Sequence, residues 1–235
     1  MTIDFQLQEL NFTLFTEQFN PAMLNLNSLQ RVGVIKPSWQ LAEEPIYQTS
    51  GMKLVFTNKV RILAQPDRLI FAETVGNKRL QDTHSPTAII NHVKGFLGIK
   101  YLAVSLNPGG FARFPSAAEA CKYLTEGLLA STPWRKFQGQ PINAAGLKLA
   151  YPYKSGSFYL DINQANLDIG GQDMPAIWFA GSFNYQLPGH NSEQRHINLN
   201  NILQGWNIDL ENYQTYINNE LLAVSVIPSV SIFPL

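Results

Sequence analysis

Charge is what this sequence is short of. Asp, Glu, Lys and Arg make up 14% of the 235 residues, against roughly 25% in a typical domain. Asn, Gln, Ser and Thr take their place, as in Asn198-Leu199-Asn200-Asn201. Neutral polar surface sheds water more cheaply than charged surface, which fits extensive subunit contacts; a source with low charge usage throughout would give the same composition. The charges that remain cancel, 17 basic against 17 acidic. A nucleic-acid binder needs a basic footprint. Here the longest basic clusters are the pairs Lys78-Arg79 and Arg135-Lys136, which read as solvated loops, so no nucleic-acid partner is expected. A single cysteine, Cys121, excludes an intramolecular disulfide and suits a reducing compartment. No apolar run approaches the roughly 20 residues of a membrane span. The start, Met1-Thr2-Ile3-Asp4-Phe5, has neither the basic nor the apolar region of a signal peptide. A cytoplasmic location and no membrane partner are the expectations.

What the chain does have is a stretch that occurs twice. Trp39 is followed by eleven residues and then Gly51-Met52-Lys53-Leu54-Val55-Phe56; Trp134 is followed by eleven and then Gly146-Leu147-Lys148-Leu149-Ala150-Tyr151. Three more echoes keep the same order. Leu69-Ile70-Phe71-Ala72 matches Ile177-Trp178-Phe179-Ala180, and Leu102-Ala103-Val104-Ser105-Leu106-Asn107-Pro108 matches Leu222-Ala223-Val224-Ser225-Val226-Ile227-Pro228. Phe5-x-Leu7 with Phe12 and Phe15 matches Val104-x-Leu106 with Phe111 and Phe114. The last two echoes claim the same residues, which leaves the alignment there ambiguous. Internal repeats decide fold assignment, so they come first.

Alternation at Ile3, Phe5 and Leu7 predicts a first strand over 3–15. Asn20-Pro21 opens a helix to about Arg31, and 33–50 reads as loop. Strands follow at 52–57, 60–64 and 68–74, with a helix from Ser85-Pro86 to Leu97. A strand at 101–106 ends in the turn Asn107-Pro108-Gly109-Gly110, ahead of a short strand at 111–114. Ser116 and Glu119 form a capping-box pattern for a helix to about Ala130. Strands at 147–151, 157–162 and 177–185 flank a polar loop at 163–175. A loop at 188–196, a helix at 199–222, a strand at 223–226 and an apolar tail, Val230 to Leu235, close the chain. The expected fold is α+β: a tandem duplication of a ferredoxin-like βαββαβ unit, antiparallel sheets with helices on one face. The halves fall at 1–107 and 108–235, or form one compact pseudo-twofold domain.

Chemical motifs are sparse. His190 and His196 bracket a loop holding Glu193 and Arg195, which could present a base or an anion site near a helix start; a solvated loop is the plainer reading. His84 and His92 lack the i, i+4 spacing of a helical metal site. Asp161 to Asp168, with Asp173, is dense in side-chain oxygen, but Ala165 sits where a calcium ligand belongs and no Glu closes the loop. Asx-turn chemistry accounts for it. Cys121 reads as a structural thiol. Trp39 and Trp134 read as plugs at the top of each half, with an aromatic binding cage between the halves as the alternative. No catalytic residue, metal site or cofactor is assigned.

The duplicated layout resembles that of the chlorite dismutase superfamily, in which duplicated ferredoxin-like units make a haem-bearing barrel. The resemblance is one of layout and covers no motif: no residue of this chain corresponds to that family's haem ligand. The expected function is a non-enzymatic structural, assembly or interaction subunit, a homo-oligomer or the partner of another protein, whose apolar tail adds a strand to a partner's sheet edge. The alternative is an enzyme or a small-ligand or cofactor binder with its site in the cleft between the halves.

Overall fold

The computed structural model describes residues 3–129, 135–169, 171–189 and 191–223. Trp134, His190, the tail from Val230 to Leu235 and all but Ala223 of the expected strand 223–226 lie outside the described residues. The protein is a mixed α+β fold with one large antiparallel sheet and a few helices.

The chain opens with β1 (Phe5–Thr16). A 3₁₀ turn at Pro21–Met23 leads to α1 (Leu26–Arg31). Asn25 caps α1 by accepting from Ser28 N, and Ser28 Oγ accepts from Asn25 N in return, a reciprocal pairing that satisfies two otherwise orphaned donors. A meander follows: β2 (Ile46–Gln48), β3 (Gly51–Val55), β4 (Val60–Gln65) and β5 (Arg68–Thr74). Next come α2 (Ser85–Gly95), with Pro86 in its first turn, and the long strand β6 (Tyr101–Arg113). Past α3 (Ala117–Lys122) the helix widens into a π turn to Leu128. A small hairpin, β7 (Lys136–Phe137) and β8 (Gln140–Pro141), precedes β9 (Gly146–Tyr153), β10 (Gly156–Ile169) and β11 (Gln172–Gln186). Two helices follow, α4 (Ser192–Gln204) and α5 (Trp206–Tyr216), the second continued by a π turn to Leu221.

Nine strands form one sheet in the order β2-β3-β4-β5-β1-β6-β11-β10-β9, every neighbouring pair antiparallel. One cross-strand row runs through eight of them: Leu54, Ile62, Phe71, Phe12, Leu106, Phe183, Phe158 and Tyr151. Seven of these eight side chains are buried beneath the helices and Tyr151, at the β9 edge, is exposed. That row fixes the register, because a slip of one residue would turn every member to the other face. The helices share that side. Residues of α2 lie against β1 and β5, those of α4 against β6 and α2, and those of α3 against β10 and β11. Asn91 of α2 donates to Gly33 O just beyond α1. The opposite face carries Thr13, Asn11, Asn107, Trp178 and Asn184, mostly half-buried.

Four expectations need correction. Asn107-Pro108-Gly109-Gly110 is not a turn but the middle of β6, with Leu10 opposite Pro108 and Leu7 opposite Gly110. Its glycines serve close approach: a Cβ on Gly110 would sit 2.4 Å from Gln6 O and from the Phe5 ring. The polar loop 163–175 is also strand. β10 and β11 pair from Gly156–Tyr185 to Ile169–Gln172, and the turn is closed by Asp168 Oδ1 accepting from Gly171 N. The helix expected at 199–222 starts earlier, capped by Asn191, and breaks at Gly205. The echo of Phe12 in Phe111 fails on parity. Phe12 faces the helices and meets Trp206, whereas Phe111 is opposite Trp178 on the other face, with Arg113 over its ring.

The residue 107/108 boundary falls inside β6, which is hydrogen-bonded to β1 on one side and β11 on the other. Among the described residues the sheet keeps two edges, β2 and β9, and does not close into a barrel. No helix among them is long and apolar enough to cross a membrane.

Candidate functional site

A dense polar constellation lies where α5 meets the β9 end of the sheet. Asp209, in the first turn of α5, is 2% exposed. Its carboxylate accepts from Tyr153 OH at 2.9 Å and Tyr185 OH at 2.7 Å, and Lys154 Nζ reaches Oδ1 at 2.5 Å. A carboxylate removed from water needs such compensation. Tyr153 and Lys154 come from the β9–β10 turn, where Lys154 takes a left-handed backbone (φ +47°). Burial, and then the bond to Asp209, push the Tyr185 phenol well above its ordinary pKa. Partial burial works against the Lys154 ammonium, but Asp209 beside it holds its pKa above the usual value. The cluster therefore pairs the Lys154 ammonium with the Asp209 carboxylate and adds two tyrosine hydroxyls as donors.

Next to it lies a recess of about 220 Å³ lined by Tyr151, Tyr153, Phe158, Phe183, Tyr213 and Tyr216, with Asn212 at its rim. The sheet supplies the first four and α5 the rest. Tyr213 approaches the strands closely because Gly181 leaves room: a Cβ there would be 2.8 Å from the tyrosine ring. Its hydroxyl donates to Phe179 O at 2.8 Å. The Tyr151 and Tyr216 hydroxyls are 2.8 Å apart. Burial first, and then the bond to Tyr151, lift the Tyr216 phenol to about 12. Asn212 Nδ2 donates to Tyr153 OH at 2.9 Å.

Among the described residues, those singled out by sequence are spread over separate elements. Trp39 packs on Phe56 and His84, with ring centroids 5.2 and 5.4 Å away, and borders a hollow of about 440 Å³ with Lys36, Asp82 and Thr87. Asp161 points to the helix-free face, 3.6 Å from Lys148. Asp168 is spent on the hairpin turn. Glu193 is exposed in the first turn of α4. Arg195 Nε donates to Gly189 O, and His196 lies 6.1 Å from the Tyr101 ring. Trp134 and His190 lie outside the described residues. Among the described residues no three His, Cys, Asp or Glu side chains cluster as metal ligands do. Cys121 is half-buried, its thiol 3.8 Å from Ile142 O.

Near the middle of the sheet, α2 and α4 pack on each other over β1 and β6. Phe71, His92, Phe96, Tyr101 and His196 make a run of ring contacts there. Sequence reasoning missed Asp209 altogether. The available signal was Asp209-Leu210 in an Asn-rich helix together with three tyrosines, Tyr151, Tyr153 and Tyr159, alternating on a hairpin; only pairing shows which of these face α5.

No protein-family profile matches the chain, and no curated protein matches it in sequence.

Proposed function

We propose that the protein is a non-enzymatic interaction subunit that associates with a second copy of itself through the helix-free face of its sheet. The observation that carries this reading is the chemistry of that face. At its centre Asn11 and Asn107 are cross-strand partners on β1 and β6. Asn107 Nδ2 donates to Ser105 Oγ at 3.1 Å, Ser182 Oγ donates to Asn107 Oδ1 at 2.7 Å, and Asn184 Nδ2 donates to Ser182 Oγ at 3.0 Å. Asn11 Oδ1 is buried with no partner. Amides and hydroxyls both donate and accept, so such a surface suits an identical copy turned through a half-turn. Around this centre, Trp178 and Tyr159 offer the aromatic area that contact surfaces favour.

The finer architecture in this proposal is a duplication of a ferredoxin-like unit with reciprocal closure. The first half reads β1, α1, the β4–β5 hairpin, α2 and then β6, which lies beside β1. The second reads β6, α3, the β10–β11 hairpin and α4–α5, with β1 beside β6. Each central strand then begins its own half and closes the other. This accounts for the two sequence echoes that both claim Val104 to Leu106.

Sedimentation equilibrium at micromolar protein tests the function. A dimer is expected, and Asn107→Arg, which puts a charge at the centre of the face, is expected to make it monomeric with its helical and strand content intact. A wild-type monomer, or a dimer indifferent to a charge at that position, would defeat the proposal.

A further inference from the structure

The Tyr-lined recess beside Asp209 has a geometry that selects among guests. Tyr151, Phe158 and Phe183 are cross-strand partners, and their rings lie nearly parallel, at 19° and 22°, with centroids 6.0 and 4.4 Å apart. Their faces are turned towards one another. What three stacked rings offer to the space above them is their edges, which carry the positive end of the aromatic quadrupole. Tyr213 and Tyr216 stand nearly perpendicular to this stack, at 81° to Phe158 and 77° to Tyr151. An array of edges attracts the electron-rich face of another ring. It offers little to a cation, which needs ring faces; Tyr153 already has Lys154 Nζ over it, 5.1 Å from the ring centroid.

The electrostatics agree. Lys154 is paired with Asp209, and no described residue lining the recess carries a charge that calls for a counter-ion. Glu220 bears on Tyr216 and opposes an anion. The rim does carry hydrogen-bonding capacity. Two phenols sharing one bond keep one O–H to spare, and Asn212, held through its Nδ2, has no donor on its carbonyl oxygen among the described residues. A volume of about 220 Å³ is below the roughly 300–1,000 Å³ of sites for drug-sized ligands and suits one ring or a fused pair.

We infer that this recess binds a small uncharged aromatic compound carrying a hydrogen-bonding group on its ring edge, of the phenol or indole class. The ring lies over the Tyr151–Phe158–Phe183 stack, and its polar edge meets the Tyr151–Tyr216 hydroxyl pair and the Asn212 carbonyl.

Ligand-observed NMR and calorimetric titration of the full chain test this, using p-cresol, indole, toluene, benzoate and tetramethylammonium as probes. The neutral rings are expected to saturate at roughly millimolar concentration, as fragments of this size do. Benzoate and tetramethylammonium are expected to bind at least tenfold more weakly than p-cresol. Tyr216→Ala should weaken p-cresol and toluene alike, at least tenfold. Asn212→Leu, at an exposed position, should weaken p-cresol several-fold and leave toluene unchanged, which separates a rim contact from a lost fold even if Tyr216→Ala unfolds. Failure of any neutral ring to saturate, tighter binding of tetramethylammonium than of p-cresol, or p-cresol binding unaltered by Asn212→Leu would each overturn the assignment.

Discussion

At the scale of single residues, two buried ionisable groups hold opposite lessons. Asp209 is fully engaged, and replacing its carboxylate leaves donors without their acceptor. Asp209→Asn should lower stability by about 2–3 kcal/mol, read as a fall in the urea midpoint with the slope unchanged. His92 is fully buried in α2, stacked on Phe96 at 4.7 Å, and neither ring nitrogen has a partner. Burial pushes its pKa down to about 3, from an ordinary 6.5. A base whose folded pKa is depressed takes its proton in the unfolded chain first. Stability is therefore unaffected above pH 6.5 and falls as the pH drops from there towards 3, by up to about 1.4 kcal/mol per unit. His92→Phe should flatten that acid limb, as followed by thermal unfolding at pH 7, 5.5 and 4.5. An acid limb that persists unchanged in the variant would show that other groups set it. Neither group was legible as what it is. His92 looked like a spacing failure for a metal pair, and Asp209 is one acid among seventeen until the fold brings three donors around it.

Elements were more legible where side chains alternate or caps are explicit. Ser116 accepts from Glu119 N and Pro86 opens α2, as their positions implied. Reading failed where local composition points one way and pairing another. Asn163 to Asn166 is polar enough for a loop, yet every residue has a partner on β11. Pro108-Gly109-Gly110 carries strong turn residues, yet it is clamped between two strands, and its missing side chains make room for Phe5 and Trp178. The helix break at Gly205 went unseen because one glycine in a helical pattern is usually tolerated. Its backbone (φ −94°, ψ 8°) suits any residue, and the nearest atom to an added Cβ is 3.7 Å away. Gly205→Ala should therefore raise stability, by roughly 0.5–1 kcal/mol, measured as an increase in melting temperature; a decrease would mean that the α4–α5 junction needs more freedom than its geometry implies.

For the whole molecule, the repeat pointed to a seam, and among the described residues the middle of the sheet is where β1 meets β6. It is a hydrogen-bonded strand pair with α2 and α4 packed above it. One core runs from Leu54 on β3 to Phe158 on β10, so unfolding should be a single calorimetric transition whose van't Hoff and calorimetric enthalpies agree; two separable transitions would mean that the halves are independent. The shared strand also has a consequence in time. Synthesis proceeds from the N-terminus, so β6 can dock on β1 while its partner on the other side, β11, does not yet exist. About sixty residues separate Arg113 from Gln172, which at 5–20 residues per second is roughly 3–12 s. Through that interval a nascent chain carries one edge of a 13-residue interior strand uncovered, with Val104 and Leu106 along it. Whatever protects this protein from misassembly in the cell has to act in those seconds, on that edge.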